Sequence, residues 1–435
     1  MRKFYLSLLF SLMGLALFAQ EQLSIEEAIT RGLERNLSVQ IIRKGNEINT
    51  NNYQKSIGAL LPVVSATFSK NFSVTDVEQQ FLNDTSPREP INNARSNTLD
   101  FSPTLRWTIF NGLGMFATRE RLKELELLGE DELQVAIENT IASISNGYYR
   151  VVLEKERLRV FQDALQLSKD RVDIAKTRYE VGKSSKLDYL QAQVDFNTDK
   201  SNLLAQQELI FNVQVDLNQM IGSDLETTYS IAPGFALDTT LVLEPLLNSA
   251  FLNNPDIIRA RRVQDIAYIQ QKELKAERYP VINLNLGYNY NDRNSDAGFL
   301  ISNTSRGINY GVSASLNIFN GFDLKRREQN NRITIESNEL ALESIKLQLE
   351  ADVRKTYINY QNSIQLKNLE ELNFEVAKEN YDIALERYKL GNSNAIELRE
   401  AQVNLVQAEI RKITAQFAVK VAEIELTRLA GYNLD

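Results

Sequence analysis

The chain has 435 residues, a net charge of −8, and neither cysteine nor histidine. Without those side chains, a disulfide framework, a lipid-modified N-terminal cysteine, a thiol nucleophile and a transition-metal site are not expected, so neither a cofactor nor a metal is assigned. The acidic balance argues against nucleic acid as a partner, and the length alone makes two ordinary domains the default.

Met1-Arg2-Lys3 precede an apolar run from Phe4 to Phe18. That run of about 15 residues fits a secretory signal and is short for a transmembrane helix, which needs about 20. Residues 1–19 are therefore read as a signal peptide ending at Ala19, although Leu17 is not the small residue preferred near a cut. An uncleaved N-terminal anchor is the alternative. No other stretch is long and apolar enough for a membrane helix, so insertion in a membrane would have to use strands.

Residues 24–57 carry a helical pattern, opened by Ser24 with Glu27 three positions on, a capping box. Pro62 ends it. The period then switches to two. Val64, Ala66, Phe68, Phe72 and Val74 share one face; Leu99, Phe101, Leu105, Trp107 and Ile109 do so in the next segment. Ser, Thr and Asn occupy most alternate positions. Lys70 and Pro103 break the pattern, and a bulge or strand end is expected at Pro103 because it removes a ladder donor. Asn111-Gly112 mark the return to helix. From about Met115 to Tyr179 there is no proline, and a single helix there would run on the order of 100 Å. A turn at Gly182 leads to a helix of about 35 residues.

The same order then recurs. Trp107-Thr-Ile-Phe-Asn-Gly112 is matched by Leu316-Asn-Ile-Phe-Asn-Gly321, and Arg178-Tyr-Glu-Val-Gly182 by Arg387-Tyr-Lys-Leu-Gly391, both at an offset of 209. Asn36 and Pro62 meet Asn254 and Pro280 at an offset of 218. Recurrence of such motifs at constant offset is the signature of an internal repeat. The chain divides into a first repeat over 20–222, a connector over 223–242 and a second repeat over 243–435. The second strand pair alternates Ile282, Leu284, Leu286, Tyr288 and Tyr290, then Ile308, Tyr310, Val312, Leu316 and Ile318.

Such alternation means one buried and one wet face, which an ordinary soluble sheet also provides. Segments of about 11 residues can cross a bilayer, and an aromatic-rich apolar face suits a membrane barrel. Four strands leave open edges, which lipid does not tolerate, and the smallest barrels have about eight. An oligomer is therefore required.

The last helix has two heptad seams. Ala401, Leu405, Ala408, Ala415, Val419, Ala422, Leu426 and Leu429 form one; Val403, Val406, Ile410, Ile413, Phe417 and Ile424 form the other, on the opposite side. Gln402, Glu409, Gln416 and Glu423 lie between them and are read as water-facing. An ordinary surface helix has one apolar stripe, so two seams suit a stave flanked by neighbours. The equivalent seams from Ala192 to Met220 are interrupted by Asp199 and Gln206.

The duplicated plan, Trp107–Gly112, Arg178-Tyr-Glu-Val-Gly-Lys-Ser-Ser-Lys-Leu-Asp-Tyr-Leu-Gln-Ala-Gln193 and Leu23-Ser-Ile-Glu-Glu-Ala-Ile29 together resemble the TolC outer-membrane efflux family over essentially the whole mature chain. The resemblance implies a mixed α/β membrane channel. Four strands per chain would join a trimeric 12-strand β-barrel, and long coiled-coil helices would form a periplasmic α-barrel. It implies a homotrimer in the outer membrane of a Gram-negative bacterium, extending into the periplasm. Its partners would be a periplasmic adaptor (membrane fusion) protein, an inner-membrane pump of RND or ABC type, and outer-membrane lipid. The adaptor-docking tips would be Arg178, Tyr179, Gly182, Ser185, Arg387, Tyr388 and Gly391. Asn394 stands where the first copy has Ser185. The channel gate would use Asp188, Tyr388, Glu397 and Glu400, the carboxylates forming cation-favouring rings. Ser393 stands where an arginine can join that closing network. The implied function is a passive exit duct for efflux or type I secretion, not an enzyme. A soluble periplasmic coiled-coil scaffold or adaptor is the rival.

Overall fold

A computed structural model describes residues 22–79 and 90–431; the expected signal segment lies outside them. In chain order come helices α1 (Ile25–Arg35) and α2 (Leu37–Lys55) and a 3-10 turn over Ser56–Leu60. Strands β1 (Val63–Glu78) and β2 (Pro90–Asn111) follow, then α3 (Gly114–Glu180) and α4 (Lys186–Ile221). The second series is α5 (Leu243–Asn253), α6 (Pro255–Ala276), β3 (Val281–Ser295), β4 (Ser302–Ser315), α7 (Asp323–Leu390) and α8 (Ala395–Ala430). The chain forms two compact units. A helical unit takes Met1–Lys44, Asp131–Arg259 and Leu342–Asp435; a strand unit takes Gly45–Glu130 and Ala260–Ala341. Each repeat contributes to both.

In the strand unit the four strands form one antiparallel sheet in chain order. The register puts Val64 opposite Leu105, Leu105 opposite Leu286 and Leu286 opposite Tyr310, so an apolar face runs across all four strands. The other face is a polar ladder: Ser65 with Thr104 at 2.9 Å, Thr108 to Asn283 at 2.8 Å and Asn285 to Ser313 at 3.0 Å. The apolar face is uncovered, with Phe68 68%, Phe72 71% and Tyr310 84% exposed. A soluble sheet would bury such a face. Lys70 shares it and lies over the Phe72 ring, 5.2 Å from its centroid.

Three expectations about the strands need correction. They run 14 to 22 residues rather than about 11. Pro103 makes neither a bulge nor an end: it sits opposite Ala66, and the register to β3 is the same at Phe101↔Tyr290 and Thr104↔Gly287 on either side of it. Losing one donor does not displace a strand held on both edges. The irregularities fall instead between Thr75 and Val77 and between Thr108 and Phe110. Finally, β4 stops at Ser315, so Leu316 and Ile318 lie beyond it.

In the helical unit the single helix expected over 24–57 is broken at Asn36. Asn36 is extended (φ −61, ψ 120). Its Oδ1 accepts from the N–H groups of Ser38 and Val39, and its Nδ2 donates to the Met220 carbonyl at 3.1 Å. Asn254 repeats this: φ −62, ψ 123, an Asp256 N–H to its Oδ1 at 3.0 Å, and its Nδ2 to the Leu429 carbonyl at 3.1 Å. Asparagine favours such N-cap positions because its side chain replaces the missing backbone acceptor. Gly222 and Gly431 complete the two joints in the left-handed region, at φ +64 and +69. A Cβ there would lie 2.6 Å from Arg35 Cβ and 2.7 Å from the Asn253 carbonyl oxygen. The joint between short and shorter helix is thus built twice from equivalent residues.

The core joins Leu23 and Ala28 to Ile144, Val151, Val152, Leu217 and Ile221. On α8, Ala401, Ala408, Ala415, Val419, Ala422, Leu426 and Leu429 are buried, and so are Ile413 and Ile424 of the second seam. Gln402, expected to face water, is 1% exposed, because its Nε2 donates to Ser168 Oγ at 2.8 Å and to the Ala164 carbonyl at 3.2 Å. The connector is irregular apart from one bridge, Gln22 to Ser230. It is pinned to the helices: the Lys155 ammonium donates to the Tyr229 carbonyl at 2.7 Å, the Tyr360 hydroxyl donates to the Asp238 carbonyl at 2.8 Å, and Phe235 contacts Tyr149 and Phe417.

Candidate functional site

The two turns after α3 and α7 lie in the helical unit, and their local chemistry is alike. Gly182 (φ +73) and Gly391 (φ +82) close them. Lys183 N–H reaches the Arg178 carbonyl at 2.7 Å and Asn392 N–H the Arg387 carbonyl at 2.9 Å, the pattern of a Schellman C-cap. Ser185 then caps α4 and Asn394 caps α8, each accepting from the N–H three residues on, at 3.1 and 2.8 Å. The change from Ser185 to Asn394 therefore leaves the cap intact.

The arginines behave differently. Arg178 crosses to the other turn: its Nη1 donates to the Tyr388 carbonyl at 3.0 Å, and its guanidinium lies 4.8 Å from the Tyr388 ring centroid. Arg387 stays on its own turn, 3.3 Å from Glu397. Tyr179 is half exposed and stacks on Tyr189, with centroids 6.4 Å apart.

The acidic residues separate in the same way. Asp188 closes a capping box, its Oδ2 accepting from Ser184 Oγ at 2.6 Å and from Ser185 N–H at 3.2 Å. The Ser184 bond foremost holds its carboxyl below the usual aspartate range. Glu397 is paired with Arg387, whereas Glu400 is exposed. Tyr388 is buried with Tyr381, Ala384, Leu398 and Ala401, and its hydroxyl has no hydrogen-bond partner among the described residues. Asp188, Tyr388 and Glu400 line one cavity of about 500 Å³ between the starts of α4 and α8; Glu397 does not. Among the described residues Ser393 reaches only the carbonyl of its neighbour Asn394.

The same cavity is lined by Arg171, Asp195 and Arg399, members of a largely buried ionic cluster that the sequence did not reveal. Arg399 donates to both oxygens of Asp199, at 2.7 and 3.0 Å. Asp195 receives Arg171, which is 3% exposed. Burial pulls the Arg171 guanidinium below its ordinary value, against the pull of Asp195. Ser168 bonds Asp199 and receives Gln402. The available signal was Asp199 itself, a carboxylate on an apolar seam: a charge at a buried position requires a partner. Gln206, the other interruption, donates to the Glu154 side chain at 2.8 Å. Among the described residues no group of three or more metal-binding side chains is present, and no helix is long and apolar enough to cross a membrane.

The family model described as outer membrane efflux protein matches residues 29–223 and 246–432. Protein CyaE of Bordetella pertussis (strain Tohama I) is 22% identical over 332 residues, covering 75% of this chain and 69% of that protein. Among solved structures, the outer-membrane channel OprN has a TM-score of 0.77 at 16% identity, over 94% of this chain and 90% of its own. The outer membrane protein VceC from Vibrio cholerae has 0.75 at 16% identity, over 94% and 97%. The open state of the Neisseria gonorrhoeae MtrE outer membrane channel has 0.75 at 17% identity, over 94% and 89%. These likenesses establish a shared fold.

Proposed function

The chain belongs to the outer membrane efflux protein family, and on that premise we propose that it is one protomer of a homotrimeric outer-membrane channel. The trimer is the passive exit duct of a tripartite efflux or type I secretion system. A periplasmic adaptor docks at the tips, and an inner-membrane pump supplies the energy and selects the cargo. The barrel sits in outer-membrane lipid and the helices extend into the periplasm. The two sequence repeats, 20–222 and 243–435, are the duplicated unit, joined by the connector at 223–242.

The observation that carries this reading is the sheet: its apolar face is uncovered, and its outer strands β1 and β4 each have one unpaired edge among the described residues. Neither lipid nor water favours that arrangement in a lone protomer. The helices agree. On α4, Leu187, Leu190, Val194, Leu204 and Phe211 are exposed at heptad spacing; on α7, Leu369, Leu372, Val376, Ile383 and Leu390 are too. Exposed heptad seams call for helical partners, and a ring of copies joins one seam to the other.

Membrane fractionation with mass measurement in detergent tests the reading. The mature protein is expected in the outer membrane, extracted only by detergent, with three times the protomer mass. Recovery from the soluble periplasmic fraction as a monomer overturns it.

A further inference from the structure

The internal repeat makes a statement about the edge of the sheet that neither strand makes alone. In the first repeat, β1 begins at Val63, opposite Arg106. Residues Trp107–Asn111 of β2 run on past that end and are paired by β3, with Trp107 opposite Leu284, Phe110 opposite Ile282 and Asn111 opposite Val281, while the Trp107 indole also donates to the Leu60 carbonyl at 2.9 Å. In the second repeat β3 begins at Val281, opposite Ser315. The equivalents of Trp107–Asn111 are Leu316–Asn320, and they run past the end of β3 in the same way. Here no strand among the described residues lies on the far side, and β4 stops at Ser315.

Leu316 lacks the indole donor of Trp107, but the alternation itself does not explain the difference. Leu-Asn-Ile-Phe-Asn alternates as well as Trp-Thr-Ile-Phe-Asn does. The backbone that follows is the same in both copies: Gly112 and Leu113 have φ of 69 and 66, Gly321 and Phe322 of 65 and 64. The second segment also leaves Ile318 91% and Phe319 70% exposed. What it lacks is the strand that β3 provides for the first segment.

We propose that Leu316–Asn320 becomes strand only on assembly, by pairing with β1 of the next copy in the register that β2 keeps with β3. The proposal rests on the trimeric reading above and adds the residue pairing. Transferred through the repeat, Trp107 opposite Leu284 becomes Leu316 opposite Ala66, Thr108 opposite Asn283 becomes Asn317 opposite Ser65, and Phe110 opposite Ile282 becomes Phe319 opposite Val64. Further along, Ala314 meets Phe68, Ser313 meets Ser69 and Tyr310 meets Phe72. The side chains agree with this register. Tyr310, Ala314 and Leu316 of the second repeat meet Phe72, Phe68 and Ala66, and Ser313 meets Ser69 on the polar face; Val312 falls opposite Lys70, the one charged residue that β1 carries on its apolar face. A slip of one residue would turn one strand inside out. The Thr108–Asn283 side-chain bond has its counterpart in Asn317 and Ser65.

The chain contains no cysteine, so introduced pairs report without background. Four double variants test the register in detergent-solubilised protein under mild oxidation: Ser69→Cys with Ser313→Cys, Phe68→Cys with Ala314→Cys, Ser65→Cys with Asn317→Cys, and Ala66→Cys with Leu316→Cys. Neighbouring antiparallel pairs alternate between narrow and wide spacing, so each region is sampled by one of each kind. In each region at least one pair should form an inter-protomer disulfide. The pairs displaced by two residues, Thr67→Cys or Asn71→Cys with Ser313→Cys, should cross-link at least about tenfold more slowly, because diagonal Cβ atoms lie about 7–8 Å apart. Faster linking at a displaced pair in a trimer overturns the register while leaving the trimer standing. Linking at 68/314 or 69/313 with none at 65/317 or 66/316 overturns the strand extension. A monomer by mass overturns the channel reading as well, and mass is measured independently of the disulfides.

Discussion

Arg178 ties the two helical turns together: its guanidinium donates to the Tyr388 carbonyl at 3.0 Å and covers the Tyr388 ring. The turns are therefore unequal targets. A Cβ on Gly391 would meet Arg178 Nη2 at 3.6 Å, whereas one on Gly182 meets no atom within 4 Å. Both substitutions carry the left-handed penalty of about 1 kcal/mol. Gly182→Trp should leave the Arg178–Tyr388 contact and the trimer intact while abolishing efflux in a resistance assay. Gly391→Trp should abolish efflux and also lower the melting temperature further. Normal efflux from both variants would remove the docking claim for this site.

Asp199 and Arg399 form a partly buried pair between α4 and α8, with side chains 11% and 22% exposed. Removing Arg399 leaves Asp199 with Ser168 as its remaining partner. Arg399→Met should cost about 1–3 kcal/mol, and adding Asp199→Leu should restore part of it. Denaturant unfolding in detergent measures both; a double variant as weak as the single one would contradict the pairing.

Glu400 lines the cavity beside Asp188 and Tyr388, while Glu397 is engaged by Arg387. A neutralised carboxylate contributes less to a cation-binding ring. In single-channel recordings, Glu400→Ala should weaken divalent-cation block more than Glu397→Ala. Equal block in both variants and the parent would exclude these residues from the gate.

Asp188 has its carboxyl pulled down, first by Ser184 and then by the Ser185 cap. A lowered folded-state value means its contribution is present above the ordinary aspartate range and is lost as pH falls through the lowered value. Hydrogen exchange of a peptide covering 184–192 should show the first turn of α4 protected at pH 5 and released only below about 3.9. Ser184→Ala should move that release upward in pH.

Val376 sits mid-seam on α7, 67% exposed in the lone protomer. Val376→Glu places a charge where a neighbouring copy is proposed to pack, and burial of an unpaired charge is costly. Loss of the trimer on detergent electrophoresis is the expected result, with the helical content of the protomer unchanged by circular dichroism.

The sequence by itself determined the elements and their duplication. Helix and strand periods are local, and a repeat offset is arithmetic, so α3, α7 and the alternating strand faces could be read directly. The turns at Gly182 and Gly391 followed from residue types that only certain backbone conformations accept. Tertiary structure decided everything that depends on a partner far along the chain. Asn36 breaks a helix because its side chain finds the Met220 carbonyl, 184 residues away. Gln402 lies between the seams, where periodicity points to water, and Asp199 interrupts one; packing against Ser168 and Arg399 buries both. β4 ends at Ser315 although its sequence alternates beyond that point. A strand exists only where its neighbour does, and period two reports the face a residue would occupy, not whether an edge is there to hold it.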